Sequence, residues 1–364
     1  MNKQNHFLDI SLFDNILVSP LDWGLGHTTR CFPIIETLLH LGKKVFLACE
    51  PGSASEKILK DAFPQPEFLP LKGYHIHYSQ TKKTFNYTIA SQVPKVLAAI
   101  KNEHRQLQQW IDIYKIQLVI SDNRYGLYSS KIPCIFITHQ LRILASNRFL
   151  ENNLQKINYA YINKFTECRV PDFESREINI AGKLSHPDIM PRVPVKYIGP
   201  LSRLQKLDTS ANQYAFLILL SGPEPQRTIL EGKLLSAISL RKEKTLFVRG
   251  LKNPLGKLTG PAGVTIIDYL DKKELSEMLA KSRFVIARSG YTTVMEMIVL
   301  QKKCIYIPTP GQTEQEYLAD RLQAQKWAFC FEQDEADYNK KIDEALLFNY
   351  QLPDMKGADF SATS

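Results

Sequence analysis

Gly24-Leu25-Gly26-His27-Thr28-Thr29-Arg30 brings two glycines, an imidazole and a guanidinium into seven residues. An imidazole near its ordinary pKa can take a proton from a hydroxyl or stabilise charge at neutral pH, so His27 is a candidate general base. The competing account is a histidine that bonds to backbone and holds the turn, and the local residues weigh the two evenly. Gly26 belongs to the same set, because a residue without a side chain lets backbone approach a ligand. Asp22 and Asp122 each end an apolar run. Either can orient His27 or receive an acceptor hydroxyl, or simply cap the segment that follows.

Three further stretches carry polar groups in a comparable setting. In Ala287-Arg288-Ser289-Gly290-Tyr291-Thr292-Thr293-Val294-Met295-Glu296, Gly290 relaxes a turn and the following helical pattern offers backbone amides to a phosphate. Ser289, Gly290 and Thr292 form the candidate binding turn. Glu296, placed on the first helical turn, is a carboxylate able to accept both hydroxyls of a ribose. Thr293 and Glu296 also have capping-box spacing, which would spend that carboxylate on local amides. Pro308 to Glu316 repeats the pattern: Gln312, Glu314 and Gln315 at a helix start suit sugar hydroxyls, while Thr313 with Glu316 again fits a capping box. Ser221-Gly222-Pro223-Glu224-Pro225-Gln226-Arg227 joins a strand to a helix, and Arg227 can pair with phosphate oxygens or face water.

Such residues need strands that end where the glycines begin. Asn15 to Asp22 reads as a first strand, a helical pattern runs from about Arg30 to Leu41, and Lys44 to Cys49 reads as a second strand. Pro33 is harmless if regular helix starts near Cys31, where the first amides need no partner. The chain therefore opens β-α-β-α, the start of a parallel sheet covered on both faces. Phe68 to Leu71, Leu118 to Asp122, Cys134 to Thr138 and short runs in 164–173 and 195–198 continue it. A long helical pattern runs through Val93, Val96, Leu97, Ile100, Leu107 and Ile111, and residues 72–88, with Lys82-Lys83, show no clean period. The second half restarts with strands at 215–220, 245–248, 264–267, 284–287 and 304–307, and helices near 226–240, 272–281, 292–300 and 313–325. The expected organisation is an amino-terminal Rossmann-like domain over 1–205, a second over 206–345 and a tail over 346–364, with a cleft between the halves.

Composition sets the class. The chain has 364 residues, 44% hydrophobic and 23% charged, enough for two cores. A formal charge of +9 comes from 46 basic against 37 acidic residues and is spread along the chain. That suits an anionic ligand or contact with an anionic membrane surface, and lacks the clustered basic face of a nucleic-acid binder. The six cysteines are scattered, with no Cys-x-x-Cys, so buried thiols in a reducing compartment are expected rather than a zinc site. Residues 1–15 lack the apolar core of a signal peptide, and no apolar run is long enough to span a bilayer, so a cytoplasmic location is expected.

The four glycine-bearing loops, in this order over residues 15 to 345, resemble those of the GT-B glycosyltransferases. Within them the pattern is similar to the lipid II-forming peptidoglycan N-acetylglucosaminyltransferase, with a family-28-like carboxyl-terminal domain. The resemblance implies an α/β fold of two Rossmann-like α/β/α domains facing across a cleft, and a nucleotide-diphosphate sugar, UDP-linked in that family, as donor. It implies that Glu296 binds the ribose, Gln315 with Glu314 the donor sugar, and the Ser221-Gly222 and Ser289-Gly290 turns the nucleotide and its diphosphate. It implies metal-independent, inverting transfer to a hydroxyl of a glycan, lipid-linked or small-molecule acceptor, and peripheral membrane contact is compatible with it. No Asp-x-Asp occurs in the chain. Two departures stand out. Pro223 and Pro225 remove amide donors from a loop that is glycine-rich in the family, and Glu224 adds negative charge there. Gly-Leu-Gly-His-Thr-Thr-Arg also resembles the Gly-x-Gly-His-x-x-Arg of nucleotide-sugar hydrolases of the same fold. Hydrolysis, 2-epimerisation of a nucleotide-sugar and binding without catalysis are therefore the alternative readings.

Overall fold

The structure is a computed structural model that describes residues 7–354, apart from 23, 76–84, 146–147, 209–211, 253–255 and 257; the side chains of 85–91 are also outside the description. Lys82-Lys83 and most of the aperiodic stretch 72–88 fall in this undescribed part. Contacts divide the described chain after Leu201 into two compact units.

The first unit contains β1 (Asn15–Pro20), α1 (Leu25–Arg30), α2 (Phe32–His40), β2 (Lys44–Cys49), α3 (Ala54–Ala62), β3 (Glu67–Pro70), α4 (Phe85–Tyr114), β4 (Leu118–Asp122), β5 (Cys134–Ile137), α5 (Arg148–Ile162), β6 (Glu167–Val170) and β7 (Val195–Tyr197). Its strands pair in parallel in the order β3-β2-β1-β4-β5-β6-β7. Ile16, Leu17 and Val18 are fully buried, as a strand covered on both faces requires. One core joins Leu17, Phe46, Val119 and Phe136 of the sheet to Leu107 and Trp110 of α4. The helical pattern after β1 is two helices, broken at Cys31. That break puts Pro33 in the first turn of α2, where the missing amide costs nothing.

The second unit contains β8 (Tyr214–Leu219), α6 (Gln226–Ile238), β9 (Thr245–Val248), β10 (Val264–Ile267), α7 (Lys272–Ala280), β11 (Ser282–Ala287), α8 (Tyr291–Val299), β12 (Lys303–Tyr306), α9 (Thr313–Ala324), β13 (Phe329–Cys330) and α10 (Tyr338–Leu347). Its sheet is also parallel, ordered β10-β9-β8-β11-β12-β13. In each unit's own count the first six strands run 3-2-1-4-5-6, the doubly wound order. Its strand order reverses between the first and fourth strands, and ligands bind outside the carboxyl ends of the strands at that point. The first described residues of the expected tail over 346–364 pack on this unit. Phe348 meets Phe329 and Tyr350, Tyr350 meets Phe284, and the Gln351 amide donates to Lys326 O at 2.7 Å. Two aromatic side chains bury enough apolar surface to outweigh the entropy of ordering so short a segment.

Five of the six cysteines are buried, Cys330 is partly so, and none is bonded to another.

Candidate active site

In the first unit, the reversal of strand order lies between β1 and β4, whose register pairs Pro20 with Asp122 at their ends. The chain leaves β1 and turns at Gly24, whose φ of +92° is a conformation that residues with a side chain avoid. It enters α1, which carries both Gly26 and His27. His27 therefore sits on a short helix, after the turn rather than within it. Its three-residue offset from Arg30 puts both side chains on one helical face, and both reach Asp122.

Asp122 is completely buried and held from three sides. His27 Nδ1 stands 2.8 Å from Oδ1, the Arg30 guanidinium pairs with both oxygens through Nε and Nη2, and Cys31 Sγ lies 3.6 Å from Oδ2. Burial alone would raise the Asp122 pKa, but the Arg30 guanidinium and then the His27 ring outweigh it and hold the carboxyl well below the usual carboxylate range. The His27 pKa is lowered, first by burial and then by Arg30, against the pull of Asp122. Arg30 Nη1 donates to His139 Nδ1 at 2.9 Å, which fixes that ring as the Nε2–H tautomer. His27 Nδ1 is also 2.9 Å from Arg30 Nη2, yet a guanidinium only donates and a carboxylate only accepts. Nη2 has its closer contact with Asp122, so the Nδ1 proton is assigned to the His27–Asp122 bond. That assignment leaves the Nε2 lone pair as the base. The His27 side chain as a whole keeps 18% exposure.

Asp22 takes a separate role. Its Oδ1 lies 3.5 Å from Nη2 of Arg124, a fully buried guanidinium that also pairs with Glu103 at 2.9 Å. Of the two aspartates weighed as partners for His27, the structure brings Asp122 to the ring and Asp22 to Arg124.

In the second unit the equivalent reversal of strand order lies between β8 and β11. Ser221-Gly222 leaves β8 as an exposed turn, and Ser289-Gly290 leaves β11 into α8. The Ser289 hydroxyl donates to Gln315 O at 2.8 Å, and Gln315 Oε1 accepts from the Thr309 amide at 2.9 Å, so the loops after β11 and β12 are stapled together. Gln315 Nε2 reaches Gln312 Oε1. Glu314 and Thr292 lie partly buried on the first turns of α9 and α8.

Neither capping box forms as spaced. The N-cap of α8 is Gly290, which contributes no side chain, so Glu296 falls on the second turn and its carboxylate meets Arg203 Nε at 3.2 Å. Burial raises the Glu296 pKa, against the opposing pull of Arg203. The N-cap of α9 is Gln312, and Glu316 reaches back to the Gly311 amide at 3.0 Å. Arg227 is not the unengaged cation weighed for a phosphate. It is buried against Glu224 at 2.6 Å and Glu231 at 2.9 Å, because its i−3 and i+4 neighbours are both acidic. The same contact neutralises the Glu224 charge that threatened the loop.

The glycosyltransferase family 28 C-terminal domain model matches residues 249–359. An uncharacterized glycosyltransferase of Methanosarcina acetivorans is 23% identical over 323 residues, covering 80% of this chain and 79% of that protein. The glycotransferase of kitacinnamycin superposes over 92% of this chain and 89% of its own, with a TM-score of 0.63 at 12% identity. Phytolacca americana UGT2, solved with UDP-2fluoro-glucose and pterostilbene, covers 92% and 89% at 0.62 and 14%. Acinetobacter baumannii MurG covers 93% and 92% at 0.54 and 14%. The chain has the GT-B fold, and its carboxyl-terminal part is similar to the glycosyltransferase family 28 C-terminal domain.

Within this GT-B chain the family 28 match spans the loops after β11 and β12 and leaves the first unit to be read from its own geometry. Sequence reasoning singled out His27 and Asp122, and the structure brings them together. It missed His139 and left Arg30 outside the site set. The Arg30 signal was present in the His-x-x-Arg spacing on one helical face, whereas His139 follows β5 with no local pattern to mark it. Among the described residues, no group of three or more His, Cys, Asp or Glu side chains is arranged to hold a metal ion, and no helix is long and apolar enough to cross a membrane.

Proposed function

We propose that the chain transfers a sugar from a nucleotide-diphosphate donor, UDP-linked in the first instance, to an acceptor hydroxyl. The observation that carries the reading is the His27–Asp122 pair at the reversal point of the first sheet, backed by a buried Arg30. His27 Nε2 takes the acceptor proton, the acceptor oxygen attacks the anomeric carbon, and the bond to the diphosphate oxygen breaks. Asp122 orients the ring and stabilises the imidazolium that forms, while Arg30 keeps Asp122 ionised. In the second unit the Ser221-Gly222 and Ser289-Gly290 turns receive the diphosphate, Glu296 the ribose, and Gln315 with Glu314 the sugar. Glu296 must exchange its bond to Arg203 for the ribose hydroxyls, a swap of one partner for another rather than the exposure of a bare charge. A glycan, lipid-linked or small-molecule hydroxyl serves as acceptor, the displacement inverts the anomeric centre, and the residues named need no metal for it.

The same pair would activate water in a hydrolase, and the Gly-Leu-Gly-His-Thr-Thr-Arg pattern with His27 and Arg30 both on Asp122 favours that as the second reading. Nucleotide release from a panel of nucleotide-sugars separates them. Release that needs an added glycan or lipid extract, and disappears in His27→Ala, supports transfer. Release at full rate in buffer alone supports hydrolysis, and nucleotide-sugar binding without release in any mixture removes both.

A further inference from the structure

Six arginines among the described residues are buried: 30, 124, 169, 227, 249 and 288. Five of them face carboxylates, namely Asp122, Glu103, Glu167, Glu231 with Glu224, and Glu231 with Asp268 respectively. Arg288 does not. It directly follows β11 and is 1% exposed. Nη1 donates to the carbonyls of Ile307 at 3.1 Å and Pro308 at 3.0 Å, and Nη2 to Gln226 O at 2.8 Å and to Gln333 Oε1. Every one of these acceptors is neutral. Burial pulls the Arg288 pKa down to about 10, which still leaves it charged at neutral pH. A buried charge without a counter-ion is costly and is normally paired.

Two polar atoms here also lack a hydrogen-bond partner, Arg288 Nε and the hydroxyl of Thr309, a residue 2% exposed. Both lie under the same point of the chain. A Cβ placed on Gly222 would stand 3.9 Å from Arg288 Nε and 3.8 Å from Thr309 Oγ1. Gly222 has φ +106° and lies in the exposed turn after β8. So an exposed two-residue turn rests on a buried, uncompensated cation and a hydroxyl with unused hydrogen-bonding capacity, at the reversal point of the second sheet.

We infer that Arg288, supported by Thr309, is the positive charge that seats a diphosphate on the Ser221-Gly222 turn, in place of the neutralised Arg227 and of the amides lost to Pro223 and Pro225. The inference rests on the donor reading above and supplies what the loop's composition withholds. Arg288 acts through the turn by its field, so it is a positioning residue. A cation one layer below the phosphates, in a region of low dielectric, attracts them more strongly than a solvated surface lysine would. The ligand class is a terminal or bridging diphosphate, from a nucleotide or as free pyrophosphate.

Titration calorimetry with UDP and with inorganic pyrophosphate tests this on the full chain as wild type, Arg288→Gln, Arg288→Lys and Thr309→Val, with thermal melts of each. Both probes are expected to bind wild type and to weaken about 10- to 100-fold in Arg288→Gln, with much of the loss restored by lysine. Thr309→Val should weaken them about tenfold without lowering the melting temperature, because the hydroxyl makes no bond in the free protein. A purely structural hydroxyl would leave affinity unchanged, so this variant decides the matter if Arg288→Gln fails to fold. Wild type that binds neither probe, or UDP affinity indifferent to Arg288→Gln and Thr309→Val, overturns the seat. In the second case the donor reading survives. Pyrophosphate binding that depends on Arg288, with UDP no tighter than pyrophosphate, keeps the seat and removes the nucleotide donor.

Discussion

Replacing His27 by glutamine separates the base from the scaffold around it. Asp122 keeps both contacts to Arg30 in the variant, so no buried carboxylate is left alone. The loss is one hydrogen bond to a charged acceptor from a side chain that is 18% exposed, about 1–2 kcal/mol. For units of this size that is a fall in melting temperature of about 2–8 °C. The rate should fall much further. A positioned general base contributes about 10²- to 10⁴-fold, or about 2.7–5.5 kcal/mol of barrier. Donor affinity should change less than about twofold, since uniform binding is untouched when only the proton acceptor is removed. The pH profile adds an independent sign. The lowered His27 pKa means that activity is lost as pH falls through a midpoint below the ordinary histidine value of 6.5, and the limb should vanish in the variant. The assay is steady-state nucleotide release from pH 5 to 8, with donor binding by calorimetry. A variant within tenfold of wild type, or one that keeps the acid limb, refutes His27 as the base.

Asp122→Asn leaves Arg30 buried without its counter-ion and should cost about 3–5 kcal/mol in denaturant unfolding, while Asp122→Leu with Arg30→Met together should cost far less. The Asp122 pKa is depressed in the folded chain, so its stabilisation is complete above the unfolded carboxylate pKa and is lost as pH falls below it; the asparagine variant should lack that acid dependence. Arg203→Met strips Glu296 of its guanidinium and should raise the carboxyl pKa further, destabilising the fold by about 1–3 kcal/mol near neutral pH, with recovery in the added Glu296→Gln background. Gly126→Ala would set a Cβ 2.3 Å from the Ile100 carbonyl oxygen and 2.5 Å from Glu103 Cβ, and should lower stability by about 1–3 kcal/mol or more in thermal melts.

Much of the scaffold was legible because buried parallel strands announce themselves as apolar runs, several of them followed by a glycine-bearing turn. The runs at 44–49, 118–122, 245–248 and 264–267 are strands at those positions, and the others shift by a residue or two. What escaped was short or weakly patterned. Phe329–Cys330 pairs only two residues, and α5 buries just Asn158 and Ile162 along fifteen positions, so no apolar face marks it. At the sites, residue type was legible and partnership was not. Asp22 and Asp122 look alike in sequence, and only sheet order decides which carboxylate meets the ring. The capping-box spacing of Thr293 with Glu296 failed because the helix begins two residues earlier, at Tyr291, and the carboxylate found a guanidinium from the segment after Leu201. Local spacing ranks local partners and has no view of distant ones.

The two units use one topology with opposite electrostatics. Where the fourth strand of the first sheet ends, the chain places a carboxylate, Asp122, and neutralises it with an arginine from the first helix. Where the fourth strand of the second sheet ends, it places an arginine, Arg288, and surrounds it with neutral carbonyls and an amide. A compensated carboxylate is suited to hold an imidazole in one tautomer and to stabilise the cation formed when that ring takes a proton. An uncompensated guanidinium is suited to hold charge that arrives with a ligand and grows as a diphosphate departs. Exchanging those environments would remove both functions: an unpaired Asp122 would gain a proton and lose its hold on His27, and a neutralised Arg288 would offer nothing to an anion. The reading therefore makes a joint demand on the chain. Restoring a counter-ion to Arg288, by Thr309→Glu, should abolish diphosphate binding while the melting temperature holds or rises, because the new carboxylate pairs the buried cation that the ligand otherwise serves. Diphosphate binding that survives this pairing would show that the charge beneath the turn is idle, and the division of labour between the two sheets would fall with it.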